Sequence, residues 1–142
     1  MIDVRVQAGT FDLGAEVAAL TAGRIDVGAV VTFTGLVRDV AMTLEHYPGM
    51  TERQLRGIAD EAAARWPAIS GTVIHRYGSL EPGDPIVLVA ITAPHRAEAF
   101  DAASFLMDWL KTRAPFWKRE AGTGWVAAKD SDDAAAARWS PR

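Results

Sequence analysis

The chain has 142 residues and a mass of 15.3 kDa, with 49% hydrophobic and 23% charged residues, which suits one domain with its own core and excludes a disordered segment. A formal charge of −3 gives no bulk attraction to nucleic acid or to an anionic membrane. The absence of cysteine excludes disulfides, thiolate metal sites and cysteine nucleophiles.

No apolar run reaches the roughly 18 residues of a membrane span. Met1-Ile2-Asp3-Val4-Arg5 lacks the continuous apolar stretch of a signal peptide. The expectation is a single cytoplasmic domain over residues 1–142.

Ile2, Val4 and Val6 alternate with polar neighbours, which predicts a strand with one buried face. Asp12 stands where a helix N-cap belongs, Val17 and Leu20 follow at helical spacing, and Gly23 is placed to end that helix in a left-handed conformation. Ala29 to Phe33, between Gly28 and Gly35, reads as a buried strand. Met42 to Tyr47 reads as another, stopped by Pro48-Gly49. Thr51 and Gln54 fit a capping box for a second helix, with Leu55, Ile58, Ala62 and Trp66 as its apolar stripe and Pro67 at its end.

Thr72 to Tyr77 and Ile86 to Thr92 are the next strands, and the Glu81-Pro82-Gly83-Asp84 turn between them predicts an antiparallel pair. A third helix is expected from near Pro94 to before Pro115, with Phe100, Ala103, Met107 and Leu110 on one face. Phe116 to Glu120 and Trp125 to Ala128 suit short strands joined through Gly122-Thr123-Gly124, and Asp130 to Trp139 has helical propensity. Mostly antiparallel strands with about three interspersed helices make the fold class α+β.

Three places carry chemistry-bearing residues. Lys111, Arg113, Lys118 and Arg119 crowd one short stretch of a net-negative chain, interleaved with Phe116 and Trp117. A solvated basic face is the plain reading of such a cluster, whereas bulky apolar groups between the cations suit a pocket wall. Lys111 lies one turn beyond Met107, at the edge of the apolar face, where desolvation lowers an amine's pKa and makes it a base or nucleophile. His95-Arg96 falls in the first turn of the third helix, where the dipole disfavours cations unless an anion is bound; free N–H groups there suit a phosphate or carboxylate. Arg38 opens a connection between two strands. His46 and His75 sit within strand patterns as structural histidines do, and no His, Asp and Glu set has metal-ligand spacing, so neither metal nor resident cofactor is expected. The residues alone point to an anion-binding pocket lined by lysines and arginines.

The strings GAVVTFTGLVRD (Gly28–Asp39), TLEHYPGM (Thr43–Met50) and LKTRAPFWKRE (Leu110–Glu120) resemble the large, catalytic subunit of molybdopterin synthase. His95-Arg96 and the FLMDWLK run fit the same family, and the similarity covers nearly the whole chain. The resemblance implies an α/β-hammerhead type of α+β fold. It also implies a homodimer with a small ubiquitin-like sulfur-carrier subunit docked at each end, together a heterotetramer. The implied reaction converts cyclic pyranopterin monophosphate to molybdopterin. Sulfur arrives as a thiocarboxylate on the carrier's C-terminal tail, which agrees with a chain that has no sulfur nucleophile of its own.

By the same resemblance Lys111 is the central catalytic residue and Lys118 the second active-site lysine. Arg38, His95 and Arg96 bind the substrate's anionic end, Phe33, Met107 and Arg113 shape the pocket, and Glu120 orients Lys118 or forms a structural pair with it. Lys129 stands where the family carries an arginine that reaches a neighbouring subunit's site; lysine keeps the charge and loses the bidentate fork. Between Arg38 and Thr43 the family has a longer connection, and this sequence has only Asp39-Val40-Ala41-Met42. A scaffold that binds the carrier tail without turnover is the alternative; retention of both lysines speaks against it. A nucleic-acid binder using the basic cluster is disfavoured by the net charge.

Overall fold

A computed structural model describes residues 1–114, 116–120, 124–126 and 137–139, with backbone alone at 117, 119, 120 and 124–126. Alternation at the N-terminus yields β1 (Ile2–Gln7), followed by α1 (Leu13–Thr21). Asp12 caps α1 by accepting from the Ala15 N–H at 3.0 Å, and Gly23, at φ 68°, takes the left-handed position just past its end. Then come β2 (Ala29–Leu36), β3 (Met42–His46) and α2 (Met50–Arg65).

The start of α2 differs from the sequence expectation. The helix begins two residues earlier, and its reverse cap is Glu52, whose carboxylate accepts from the Gly49 N–H at 2.8 Å. Thr51 is buried inside the first turn, where its hydroxyl accepts from the Tyr47 N–H at 3.0 Å. Gln54 has no capping part because Gly49, not Thr51, occupies the N-cap, which makes Glu52 the third helical residue.

Next are β4 (Ser70–Arg76), the short β5 (Gly78–Leu80), β6 (Pro85–Ala93), α3 (Arg96–Arg113), β7 (Phe116–Glu120) and β8 (Gly124–Val126). The expected Ala128 end of the last strand and most of the predicted tail helix lie outside the described residues. Two four-stranded sheets result, ordered β1-β4-β6-β2 and β5-β3-β7-β8. Among the described residues all pairings are antiparallel except β1 with β4, and the fold is α+β.

Val73, Val87, Val89 and Ile91 face α2 and α3 across the first sheet; Ile74, Leu88 and Ala90 face the opposite way, toward Phe11 and Leu20 at α1. The period of two along each strand makes this division. Val37, Leu44 and Leu80 form a separate small cluster that joins the second sheet to the end of β2.

On α3 the buried face is Ala99, Ala102, Ala103, Phe105, Leu106 and Leu110. Phe100 is 61% exposed, contrary to the expected stripe, because the inward direction passes through Ala99 and one residue along a helix turns by about 100°. Where β2 begins, a Cβ on Gly28 would stand 2.1 Å from the Pro94 carbonyl oxygen. Only glycine lets β2 approach the α3 entry so closely.

Candidate active site

β6 leads through Pro94 into α3, which crosses the sheet's inner face in the reverse direction, so its last turn comes down over the opposite sheet end. Register identifies that end: His75 of β4, Val87 of β6 and Gly35 of β2 lie in one row, with Phe33 two residues away on β2. His75 shares strand parity with the inward Val73 and therefore faces the helices. Lys111 and Arg113 occupy the last turn of α3, where the dipole favours cations. The Lys111 side chain is exposed, and its charge acts on His75.

β7 follows almost at once. The Phe116 N–H donates to the Ala114 carbonyl at 2.9 Å, and the Phe116 ring stacks on His75 with centroids 3.7 Å apart and planes 16° from parallel. Across the ladder His46 pairs with Phe116, and Leu44 with Lys118. His46 in turn lies 4.1 Å from the Tyr77 ring. Phe116 and Lys118 share one face of β7, so the second lysine lies on the side of the buried Leu44. Arg38 follows Val37 of that same small cluster; its side chain is 80% exposed, with Asp39 the nearest carboxylate at 3.6 Å.

Phe33, Arg38, Met107, Lys111 and Lys118 thus belong to elements that adjoin at this end of the first sheet, below the last turns of α3. Met107 lies one turn before Lys111 and packs on the core. His95 and Arg96 do not join them. His95 is the N-cap of α3 and Arg96 its first residue, and fifteen residues of helix separate Arg96 from Lys111 by about 22 Å. Both are exposed, and no side-chain bond caps this helix end.

Arg113 turns toward α2, its guanidinium 4.1 Å from the Trp109 ring centre, beside a groove of about 470 Å³ that includes Asp60 and Glu61. A second groove, about 420 Å³, lies between Phe100, Ser104 and Trp139. Neither is lined by Lys111 or Lys118, so the chemistry rather than concavity marks the site. Glu120 ends β7 opposite Met42, with its side chain outside the description, and Lys129 lies outside the described residues.

Sequence reasoning passed over His75 and His46 as structural. Both are indeed in strands, and both stand beside the lysine end. The available signal was parity: His75 is two residues from Val73 and so faces inward. Burial lowers the His75 pKa from 6.5 to about 4, against the opposing hydrogen bond to the Arg76 carbonyl, and the charges of Lys111 and His46 push in the same direction as burial.

The unfolded chain takes up this proton first as pH falls, so the contribution to stability is complete above about pH 6.5 and is lost progressively toward pH 4. It amounts to on the order of 3 kcal/mol at most. Denaturant unfolding of wild type and His75→Phe between pH 7.5 and 4.5 checks this: the variant is expected to lose less stability, and parallel curves would contradict the assignment.

Residues 6–113 match the family model described as MoaE protein. A molybdopterin synthase catalytic subunit from Cereibacter sphaeroides is 57% identical, the alignment covering 96% of this chain and 99% of that one. The solved structure of molybdopterin cofactor biosynthesis protein E from Burkholderia multivorans is 56% identical with a TM-score of 0.88, covering 98% of this chain and 97% of that one. A complex of subunits 1 and 2 of molybdopterin-converting factor from Helicobacter pylori shares the fold, with a TM-score of 0.73 at 19% identity over 89% of this chain and 90% of that one.

Proposed function

The chain belongs to the MoaE family of molybdopterin synthase catalytic subunits, and from that premise we propose that it installs the dithiolene sulfurs of molybdopterin on cyclic pyranopterin monophosphate. The sulfur donor is the thiocarboxylated C-terminal tail of a small ubiquitin-like carrier subunit. The reaction belongs in the cytoplasm; among the described residues no helix is long and apolar enough to cross a membrane.

What supports this reading is that Lys111 ends α3, Lys118 stands on β7 opposite Leu44 and Arg38 follows Val37 of the Leu44 cluster, so the three cations belong to neighbouring elements where the two sheets adjoin. Each transfer makes a C–S bond on the pterin side chain and breaks the carrier's C–S bond. The net change is one oxygen exchanged for one sulfur, and the carrier is left as a carboxylate. Ammonium groups at Lys111 and Lys118 attract the thiocarboxylate and stabilise the oxyanion formed as its acyl carbon is attacked. An amine here also moves protons during the exchange. Lys111 is exposed in a lone protomer, so the desolvation that strengthens these interactions comes from the docked tail and substrate.

His95 and Arg96 supply the cations and free helix N–H groups suited to the substrate phosphate. Helix length puts them about 22 Å from Lys111 of the same chain, farther than one pterin monophosphate spans. We therefore assign each site to two protomers of a homodimer, one giving the lysine end and the other the His95-Arg96 end. The test is reconstitution: protein, thiocarboxylated carrier and cyclic pyranopterin monophosphate, with molybdopterin detected as a fluorescent oxidised pterin. Product is expected, and none from a carrier active with a known synthase subunit would overturn the reading. Arg96→Ala is expected to raise the substrate KM about tenfold, as loss of a charge-assisted phosphate contact does. An unchanged KM would remove Arg96 from the phosphate site.

A further inference from the structure

We propose that His75 is a positioning residue for the two lysines: its ring, stacked on Phe116, clamps the start of β7 to the end of β4 and so fixes the segment from Lys111 to Lys118. The inference rests on the sulfur-transfer reading and adds a residue to it.

The geometry carries it. Phe116 comes five residues after Lys111 and two before Lys118, so an anchor at Phe116 acts on both amines through a short length of chain. The anchor spans the two sheets, since His75 belongs to the first and Phe116 to the second. It is part of a run of rings. Tyr77 lies against His46 at 4.1 Å, His46 faces Phe116 at 6.3 Å, and Phe116 stacks on His75 at 3.7 Å. Beneath this run β4 continues in register with β1 and β6, so the His75 backbone is held on both sides, by Val6 and Val87.

A histidine suits the place only while neutral. The Arg76 carbonyl can only accept, so the 2.9 Å contact means that His75 Nδ1 carries the hydrogen and the uncharged ring leaves a lone pair on Nε2. Lys111 from α3 and His46 from β3 are the titratable groups whose charges act on it. A proton on His75 would put a charge inside a buried ring stack against Phe116, where desolvation opposes it. Burial keeps that proton off at neutral pH. The ring therefore serves as an uncharged platform, a task phenylalanine can perform and alanine cannot.

Wild type, His75→Ala, His75→Phe and Phe116→Leu are compared in the reconstituted assay, well below each variant's melting temperature. His75→Ala and Phe116→Leu are each expected to lower kcat at least tenfold with substrate KM changed less than threefold, because binding cations stay and the amines lose their placement. His75→Phe is expected to recover most of the lost kcat. Wild-type kcat in folded His75→Ala would make the ring merely structural and overturn the proposal. Loss in His75→Phe equal to that in His75→Ala would assign the role to a ring nitrogen and equally overturn it. If His75→Ala does not fold, His75→Phe and Phe116→Leu decide alone: recovery in the first with loss in the second supports the clamp, and any other pairing contradicts it. Absence of product from wild type would instead defeat the sulfur-transfer reading, so the two failures are distinguishable.

Discussion

Lys111→Ala is expected to lower kcat by about 10²–10⁴-fold, the range for removing a positioned acid–base or charge-stabilising group. The fold tolerates the change because the side chain is exposed in the last turn of α3. The structural cost is a lost favourable charge at a helix C-terminus, about 0.3–1 kcal/mol. Carrier binding is expected to persist, since docking spreads over a surface and the amine acts at the end of the inserted tail. Single-turnover product formation and carrier titration calorimetry separate these effects. Turnover within threefold of wild type would mean that the central amine is another one, with Lys118 on the facing strand the next to test.

The largest stability effect is expected at Phe105. It is fully buried in the middle of α3, with the Trp66 and Trp139 rings each at 5.6 Å, Trp109 at 6.4 Å and the Arg65 guanidinium 4.8 Å from its centre. Phe105→Ala removes the shared partner of three indoles and leaves a cavity between α2 and α3, at a cost of about 3–5 kcal/mol. Phe100→Ala, on the same helix, is expected to change stability by less than about 0.5 kcal/mol because that ring already faces solvent. Urea unfolding of the two variants makes the comparison. Equal losses would contradict the direction in which α3 faces.

What was legible in the sequence was chiefly local. Asp12 and Gly23 bracket α1 because capping and left-handed termination depend on a few neighbouring atoms. The expected antiparallel pairing of β4 with β6 is present, although the chain between them passes through β5 of the second sheet, so that the Glu81–Asp84 turn itself joins β5 to β6. The division of strands into two sheets was not legible. Alternation shows which side chains share a face, but β3 meets β7 across about half of the chain and nothing between them encodes that meeting. β5 has three residues, too few for a period to show.

At α2 a threonine that suits an N-cap lay beside the glycine that takes the position. At α3 Phe100 attracted the inward assignment by its size, although the buried direction runs through alanines. For the site, charge clustering marked Lys111 and Lys118, and the family resemblance gave them roles. The distance between the two ends of α3 follows from its 18 residues. The stacking of His75 on Phe116 joins two sheets and becomes visible only in three dimensions.

Hybrid dimers give the most direct measurement of a site shared between protomers. Lys111→Ala and Arg96→Ala chains are mixed in equal amounts, allowed to exchange subunits, and assayed for molybdopterin with substrate below the wild-type KM. Roughly a quarter of wild-type turnover is expected, because half the dimers are hybrids and one of each hybrid's two sites keeps both residues. Activity no greater than the average of the two parent variants would contradict it, placing Lys111 and Arg96 in the same protomer's site or outside any common one.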